Sequence, residues 1–382
     1  MLGAISLLND IASEMLAPLL PAFLIGVLGG SKSMLGLIDG VGESVASLLK
    51  LWSGGWSDRA GTRKGFISFG YGVAVLARPL MALAGAPWHV FALRAIDRAG
   101  KGIRTSPRDA LIAESTPKQQ HGRAFGFHRA MDHLGAAIGP LVAFGFLWLF
   151  PDQLRWLFAL SLLPGIPILI LVWLGLKEPP GRGEGEASAG PTVSSWSLTT
   201  FPGSFRRYLF ALLIFTLGNS SDSFLLVRAE QLGVGLRWLP ILWFAFHVAK
   251  SLGNLVCGGW TDRFGPRPLI WAGWLIYAAV YLGFGLATDA WHAWALFLVY
   301  AAFYALTEPA EKALVARIVG PEHKGLAFGW FNFTIGLAVL PASLVFGWLY
   351  DGYGPLAAFS TGAGLAIVAA VLLLSVGSRP SE

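Results

Sequence analysis

Charged residues recur at helical spacing in one stretch of the chain that is long enough to cross a lipid bilayer. The stretch from residue 88 to residue 113 reads WHVFALRAIDRAGKGIRTSPRDALIA, and a crossing takes about 20 residues. A charge at the centre of a bilayer costs on the order of 3 kcal/mol or more, so such a stretch must contact water or opposite charges. One side of the predicted helix carries the basic residues Arg94, Arg98, Lys101, Arg104 and Arg108. The spacing therefore predicts the wall of a polar passage through a membrane.

Acidic residues at predicted mid-membrane depth are candidates for binding and releasing protons. Counting about 1.5 Å per residue from the predicted membrane faces places Asp10, Glu14 and Asp132 near the centre, and Asp97 lies at a similar depth. A carboxyl group in such a place can exchange its proton when water or a cation approaches, as proton coupling requires. We predict coupling at Glu14 and Asp132, with Asp10 and Asp97 as alternates. For each acid, the alternative is a permanent salt bridge that never titrates.

The excess of basic residues in this region predicts the charge of a bound solute. Guanidinium groups match carboxylates and phosphates, which favours an anionic or zwitterionic solute over a lipophilic cation. The alternative is that nearby acids neutralise the basic residues and leave them structural. The predicted substrate-binding residues are Glu43, Arg78, Arg94, Arg98, Lys101, Arg104 and Arg129, with Asn219, Asp222 and Glu308 later in the chain.

Other kinds of chemistry find little support in the sequence. His128, Asp132 and His133 include an i, i+4 pair that can hold a metal, but no third clear ligand is near them, so we favour a polar cavity lining. The sequence has no HExxH, GxSxG or glycine-rich phosphate motif. The single cysteine, Cys257, offers neither a disulfide framework nor a thiolate cluster. We predict no enzyme activity, no metal and no cofactor.

The composition places the chain among integral membrane proteins. Of its 382 residues, 55% are hydrophobic and 13% are charged, and the mean hydropathy is +0.61. Soluble domains carry about 25% charged residues. The formal net charge of +6 is explained in large part by Lys and Arg in cytoplasmic loops, so no nucleic-acid partner is predicted.

Apolar runs separated by loop signals predict twelve membrane spans. The first six lie near residues 2–28, 34–55, 66–86, 88–113, 121–150 and 155–176, and the second six near 208–230, 237–258, 268–287, 290–316, 322–350 and 355–377. Residues 177–207 are rich in Pro, Gly and Ser and predict a flexible linker. We therefore expect bundles at 1–176 and 208–382. The distribution of Lys and Arg among the loops predicts that both termini and the linker are cytoplasmic.

The two halves repeat a loop motif. GGWSDRAGTRK at residues 54–64 returns as GGWTDRFGPRP at residues 258–268, and Asp58 and Asp262 lie 204 positions apart. Two six-helix halves related in this way place a binding site between them near the middle of the membrane.

With twelve spans, a long central loop and a paired G-x-x-x-D-R-x-G-x-[RK] loop after spans two and eight, the chain resembles the major facilitator superfamily along its whole length. The resemblance implies an all-α membrane protein of two pseudo-symmetric six-helix bundles that works by alternating access. It also implies that the loop aspartates form a gating latch, in which each caps a neighbouring helix and basic residues bridge to it. The alternative is an ordinary basic loop. The predicted gating residues are Asp58, Arg59, Arg63, Lys64, Arg108, Asp109, Asp262 and Arg263.

Two partial motifs indicate a direction of transport. GxxxGP at residues 135–140 and Arg98-Ala-Gly-Lys101-Gly102 are similar to motifs of drug and proton antiporters. Lys101 replaces a glutamine, and Ala143 and Phe144 replace glycines of the longer pattern, which argues against a generic lipophilic drug. The resemblance implies export of a small organic solute in exchange for protons.

The alternative function is proton-coupled uptake or exchange of an organic anion, which the basic residues support. An intramembrane enzyme or a receptor without transport activity is a remote alternative. For the leading function, the expected partners are the solute, protons and the lipid bilayer, and we expect a monomer in the inner or plasma membrane.

Overall fold

A computed structural model describes residues 1–20, 22–30, 32–150, 153–178, 197–220, 222–235, 238–320 and 323–376. These residues are almost entirely helical, and no β-strand occurs among them. Seven of the described helices are long and apolar enough to cross a membrane. The helix that contains residues 88–113 is not among them, because its many charged residues lower its hydropathy.

The first half of the chain forms six helices. They are α1 (Leu2–Glu14), α2 (Lys32–Arg59), α3 (Lys64–Leu80), α4 (Pro87–Glu114), α5 (His121–Leu149) and α6 (Leu154–Leu160, continued as Leu162–Ile170). After α1 the chain continues through a short 3-10 turn, Ala17–Leu19, and a π-helix, Ala22–Val27. Pro18 lies in this turn and has no amide hydrogen to donate, which explains why regular α-helix ends before it.

The second half forms the other six helices. They are α7 (Gly203–Gly218, continued as Ser223–Gln231), α8 (Leu239–Phe264), α9 (Pro266–Leu286) and α10 (Ala290–Ile318), and then α11 and α12, which share the helical stretch Lys324–Leu374. Gly354 separates α11 from α12, because its φ of 83° lies in the left-handed region that favours glycine. Pro355 then begins α12, a position at which proline is well tolerated.

The predicted all-α fold of twelve helices is confirmed. The first, sixth and seventh spans, however, are broken, which hydropathy alone did not indicate. Residues 179–196, most of the predicted linker at 177–207, lie outside the described residues. The bundle boundaries at 176 and 208 therefore stay predictions.

The helices cluster into two compact units. Unit 1 comprises Met1–Ser115, Met131–Trp196 and Pro321–Phe333, and unit 2 comprises Thr116–Ala130, Ser197–Gly320 and Thr334–Glu382. The start of α11 thus packs in unit 1 and the start of α5 packs in unit 2. In unit 1, Gly54 of α2 lies against the backbone of Gly325, and in unit 2, Gly258 of α8 lies against the backbone of Gly122. A Cβ atom at these positions would overlap the neighbouring backbone, so glycine permits the close approach.

Each unit has its own apolar core. In unit 1, Phe23, Leu157 and Phe158 are buried together, with the rings of Phe23 and Phe158 4.5 Å apart. In unit 2, the core is largely aromatic, and Phe215 stacks on Trp274 at 4.7 Å. Aromatic side chains bury a large area and fix their neighbours, so these cores hold the polar residues described below in defined positions.

Candidate functional site

Asp97 lies at the centre of a buried ion network in unit 1. Arg78 Nε donates to Asp97 Oδ1 at 3.0 Å, and Arg94 Nη1 donates to Asp97 Oδ2 at 3.5 Å. Arg78 also donates to the backbone oxygen of Asn9 at 3.0 Å. All three charged side chains are buried, and burial of charges is tolerated when they are paired and hydrogen-bonded. The network joins α3 and α4 to α1 through contacts within the protein.

Arg104 and Arg108 are buried on the same helix. Arg104 donates to the backbone oxygen of Gly70 at 3.2 Å and to Asn9 Oδ1 at 3.3 Å, and its guanidinium carbon lies 4.5 Å from the centre of the Tyr71 ring. Arg108 pairs with the fully buried Asp109 at 3.2 Å. These side chains pack between helices of unit 1, as Arg94 does. The predicted row of basic residues therefore does not form one exposed wall.

Arg98 and Lys101 are the accessible basic residues of the row. Lys101 is exposed although it lies in the middle of α4 between two buried glycines. Arg98 is 26% exposed and lies 3.8 Å from a carboxylate oxygen of Glu43, which also pairs with Lys50 at 3.5 Å. The Glu43 side chain is 45% exposed. Ion pairs at such exposure are weak, so these groups can exchange the protein partner for a solute.

Three predicted proton-coupling acids come together where α1 and α5 meet. Asp10 lies within electrostatic range of Asp132, Glu14 and Lys101. Asp132 is buried and accepts a hydrogen bond from Ser6 Oγ, which sequence reasoning did not identify. The close approach comes from the GxxxG spacing at residues 135 and 139, because these glycines lie against the backbone of α1 at residues 7–15. The arrangement forms a cluster of carboxyl groups in which a proton can be bound and released.

Unit 2 holds a second polar cluster around Asp222. Its carboxylate accepts hydrogen bonds from the hydroxyl of Tyr300 at 2.9 Å and from that of Tyr304 at 3.1 Å. Asn219, at the break in α7, lies 3.4 Å from the hydroxyl of Tyr277. Asp222 and Asn219 were predicted from the sequence, whereas Tyr300 was not. The signal for it was the i, i+4 spacing from Tyr300 to Tyr304 on one face of α10.

Glu308 continues this polar face of α10. Its carboxylate accepts a hydrogen bond from Asn254 of α8 at 3.1 Å. Arg129, at the start of α5, also belongs to unit 2, where it lies within electrostatic range of Lys250 and Glu311. Substrate binding by Arg129 remains a prediction. Lys250, like Tyr300, was given no role on the basis of the sequence.

Asp58 caps a helix that begins far along the chain. Its carboxylate accepts from the backbone N–H of Gly325 at 3.1 Å and of Leu326 at 2.7 Å, in the first turn of α11. Arg63 bonds to Asp58 and Ser57, and its other contact is Glu114 Oε1 at the end of α4, at 2.9 Å. Burial alone would lower the pKa of Arg63, but the two carboxylates outweigh it and raise that pKa. The guanidinium is therefore fixed as a cation in this contact.

Asp262 forms the equivalent contact in unit 2. It accepts from the backbone N–H of Gly122 at 2.7 Å and of Arg123 at 2.8 Å, in the first turn of α5. Its basic partner is Arg317 of α10 at 3.2 Å. Prolines at 266 and 268 interrupt the second copy of the loop, so the cation comes from the end of α10 rather than from the loop itself.

The other predicted gating residues have different surroundings, and Arg108 and Asp109 form the buried pair described above. Lys64 donates to the backbone oxygen of Trp173 at 3.1 Å, and Arg59 and Arg263 are exposed. The gating role of all these residues stays a prediction.

In the described part of the chain, no group of three or more potential ligands for a metal ion is found, and His128 and His133 are buried side chains of α5.

Comparison with known proteins adds the family. The family model described as Major Facilitator Superfamily matches residues 2–249 and 229–382. An uncharacterised MFS-type transporter of Methanocaldococcus jannaschii is 30% identical over 98% of this chain and 94% of its own length. The multidrug resistance protein MdtH of Yersinia pestis is 25% identical over 87% of this chain and 82% of its own length. The crystal structure of the human organic anion transporter MFSD10 superposes with a TM-score of 0.82 at 19% identity, covering 97% of each chain.

Proposed function

The chain belongs to the major facilitator superfamily of membrane transporters, and from that premise we propose that it exports a small anionic or zwitterionic organic solute in exchange for protons. The observation that carries the proposal is the cluster of Asp10, Glu14 and Asp132 beside the exposed Lys101. A carboxyl group near a basic residue changes its charge when it binds or releases a proton, and this change alters the affinity of the site for a charged solute, which couples the two fluxes.

The proposed substrate contacts in unit 1 are Arg98 and Lys101. Both are accessible, and the pair that Arg98 forms with the exposed Glu43 is long, at 3.8 Å. By contrast, Arg78, Arg94 and Arg104 are buried with protein partners, so we assign them a structural role. Two accessible cations on one helix favour a solute with a carboxylate or phosphate group.

Export is the proposed direction. The GxxxGP sequence of α5, which sets the acid cluster against α1, is similar to the motif of proton antiporters. A relative named as a multidrug resistance protein supports the same direction. Uptake by proton symport is the second candidate. The direction of the pH gradient that drives solute accumulation distinguishes export by antiport from uptake by symport.

Transport by the purified protein in proteoliposomes tests this function. The probes are radiolabelled carboxylates, phosphate esters and amino acids, with tetraphenylphosphonium as the lipophilic cation. We expect an anionic or zwitterionic probe to accumulate when the lumen is acidic, because protons then leave as solute enters. Accumulation only with an acidic exterior would establish symport instead, and transport of tetraphenylphosphonium alone would refute the proposed substrate class.

Variants of the acid cluster test the coupling in the same vesicles. Glu14→Gln and Asp132→Asn should abolish accumulation driven by the pH gradient, while exchange of labelled for unlabelled solute persists. Glu230→Gln alters an exposed acid of α7 and should leave both activities unchanged. If both cluster variants still accumulate solute, protons are not coupled through these residues.

A further inference from the structure

Lys250 of α8 places its terminal nitrogen deep inside unit 2. The side chain is buried, with 4% of the residue exposed. Its ammonium nitrogen lies 3.5 Å from the centre of the Tyr304 ring and 4.9 Å from that of Phe246. Ammonium groups are attracted to the faces of aromatic rings, and the attraction is strongest where water is excluded. The lysine is therefore held by aromatic faces.

The rings around Lys250 are fixed by their own contacts. Phe246 and Tyr300 stack at 5.5 Å with nearly parallel planes, and Tyr300 meets Tyr304 edge to face at 5.1 Å. Both tyrosine hydroxyls donate to Asp222. A hydroxyl group that donates a hydrogen bond to a carboxylate is polarised by it. The polarisation makes the side of the ring that is next to the carboxylate more negative. We call Phe246, Tyr300, Tyr304 and Asp222 the aromatic box.

The carboxylates near the aromatic box favour a cation. Burial disfavours the ammonium form of Lys250 and Arg129 opposes it as well, whereas Glu308 and Asp222 stabilise it. Aromatic faces combined with carboxylates are the groups that recognise alkylammonium and quaternary ammonium ions. The box therefore has the chemistry of an organic-cation site, and a side chain of the protein itself occupies it.

We propose that Lys250 acts as a tethered cation that excludes alkylammonium compounds from the aromatic box and so determines substrate charge. The inference deepens the proposed function, because it gives a physical reason why organic cations are not substrates in a protein whose second half carries a site for them. It predicts that removing the lysine side chain opens a binding site for a small alkylammonium ion.

Chemical complementation of a truncated lysine tests this proposal. Lys250→Ala removes the three outer methylenes and the ammonium group, which n-propylammonium replaces atom for atom. Calorimetric titration of the purified full-length variant should show binding of n-propylammonium at least about tenfold tighter than to the wild-type protein. The same gain should be lost in Lys250→Ala combined with Tyr304→Leu, because the second change removes the closest ring.

A second lysine of unit 2 provides a matched control. Lys312 is also buried, and its ammonium nitrogen lies 5.8 Å from the centre of the Phe125 ring. Lys312→Ala should gain no affinity for n-propylammonium, because a deleted lysine alone does not make an aromatic box. An equal gain in both variants would overturn the proposal, since any lysine-sized cavity would then suffice.

The outcomes separate this inference from the proposed function. If Lys250→Ala does not fold, Lys250→Ser empties the same space with another small side chain, and n-propylammonium should then inhibit transport by this variant but not by the wild-type protein. Absence of cation binding in Lys250→Ala and of cation inhibition in Lys250→Ser overturns the tethered-cation proposal. Loss of anion binding in these variants without a gain for cations would instead identify Lys250 as an anion contact. The titration needs no flux, so its result is independent of whether transport is driven by protons.

Discussion

At the scale of single residues, α4 shows that helical spacing does not determine the role of a charge. Arg98 and Arg104 belong to the same predicted row, but Arg98 is accessible and Arg104 is buried against Asn9 and Tyr71. Arg104 shares α4 with the buried Asp97, and both contact helices α1 or α3. An arginine surrounded by its own protein cannot bind a solute without breaking those contacts.

The two arginines should therefore respond differently to truncation. Arg104→Ala leaves Asn9 Oδ1 and the backbone oxygen of Gly70 without this donor, and we expect a loss of about 2–4 kcal/mol of stability. Arg98→Ala should leave the free energy of unfolding nearly unchanged but weaken the binding of an anionic solute about tenfold. The reason is that a hydrogen bond to a charged group contributes about 1.5–3 kcal/mol. Thermal unfolding and solute titration measure the two effects. Equal weakening of a neutral analogue by Arg98→Ala would contradict the charge-selective role.

At the scale of helices, the repeated loop aspartates use one geometry with two sources of charge. Asp58 and Asp262 each cap a helix by two backbone bonds. In the first copy the loop supplies Arg63, which extends the contact to Glu114 at the end of α4. In the second copy the end of α10 supplies Arg317 directly. Each contact therefore joins three helices, α2, α4 and α11 in the first copy and α5, α8 and α10 in the second.

Neutralising each aspartate tests the latch. Asp58→Asn keeps an oxygen that can cap the helix but removes the buried ion pair with Arg63, so it should slow turnover about fivefold or more and leave solute affinity nearly intact. The effect of Asp262→Asn should be smaller, because its Arg317 is 26% exposed and surface pairs are weak. Initial rates and equilibrium binding in the same vesicles make the comparison. A loss of affinity with unchanged turnover would show that these residues act on the solute rather than on a gate.

At the scale of the whole molecule, the sequence predicts the number of helices better than their partners. Apolar runs and loop signals together locate twelve spans of about 20 residues, although α4 is too charged to be found by hydropathy alone, and the repeated loop reveals the duplication. The breaks in the first, sixth and seventh spans escape this reasoning, since local turns do not change mean hydropathy. The contacts of Asp97, Lys250 and Tyr300 also escape it, because spacing defines the side of a helix and not the neighbour that packs there.

The orientation of the chain in the membrane is the remaining prediction at this scale, and the single cysteine makes it measurable. Cys257 is buried in α8, so a Cys257→Ser protein provides a background without thiols. Lys118, in the basic loop before α5, and Thr288, between α9 and α10, are both exposed. By the positive-inside rule, the loop with Lys118 is cytoplasmic and the loop with Thr288 lies on the opposite side.

A membrane-impermeant thiol reagent applied to intact cells should therefore label the Thr288→Cys protein and not the Lys118→Cys protein. Permeabilised cells should label both, which controls for reactivity. The cytoplasmic placement of Lys118 also places the caps on α5 and α11 at the cytoplasmic face, because α5 begins three residues later and the repeat puts α11 in the same orientation. Labelling of the Lys118→Cys protein in intact cells would show the opposite topology, in which the caps on α5 and α11 lie at the outer face of the membrane.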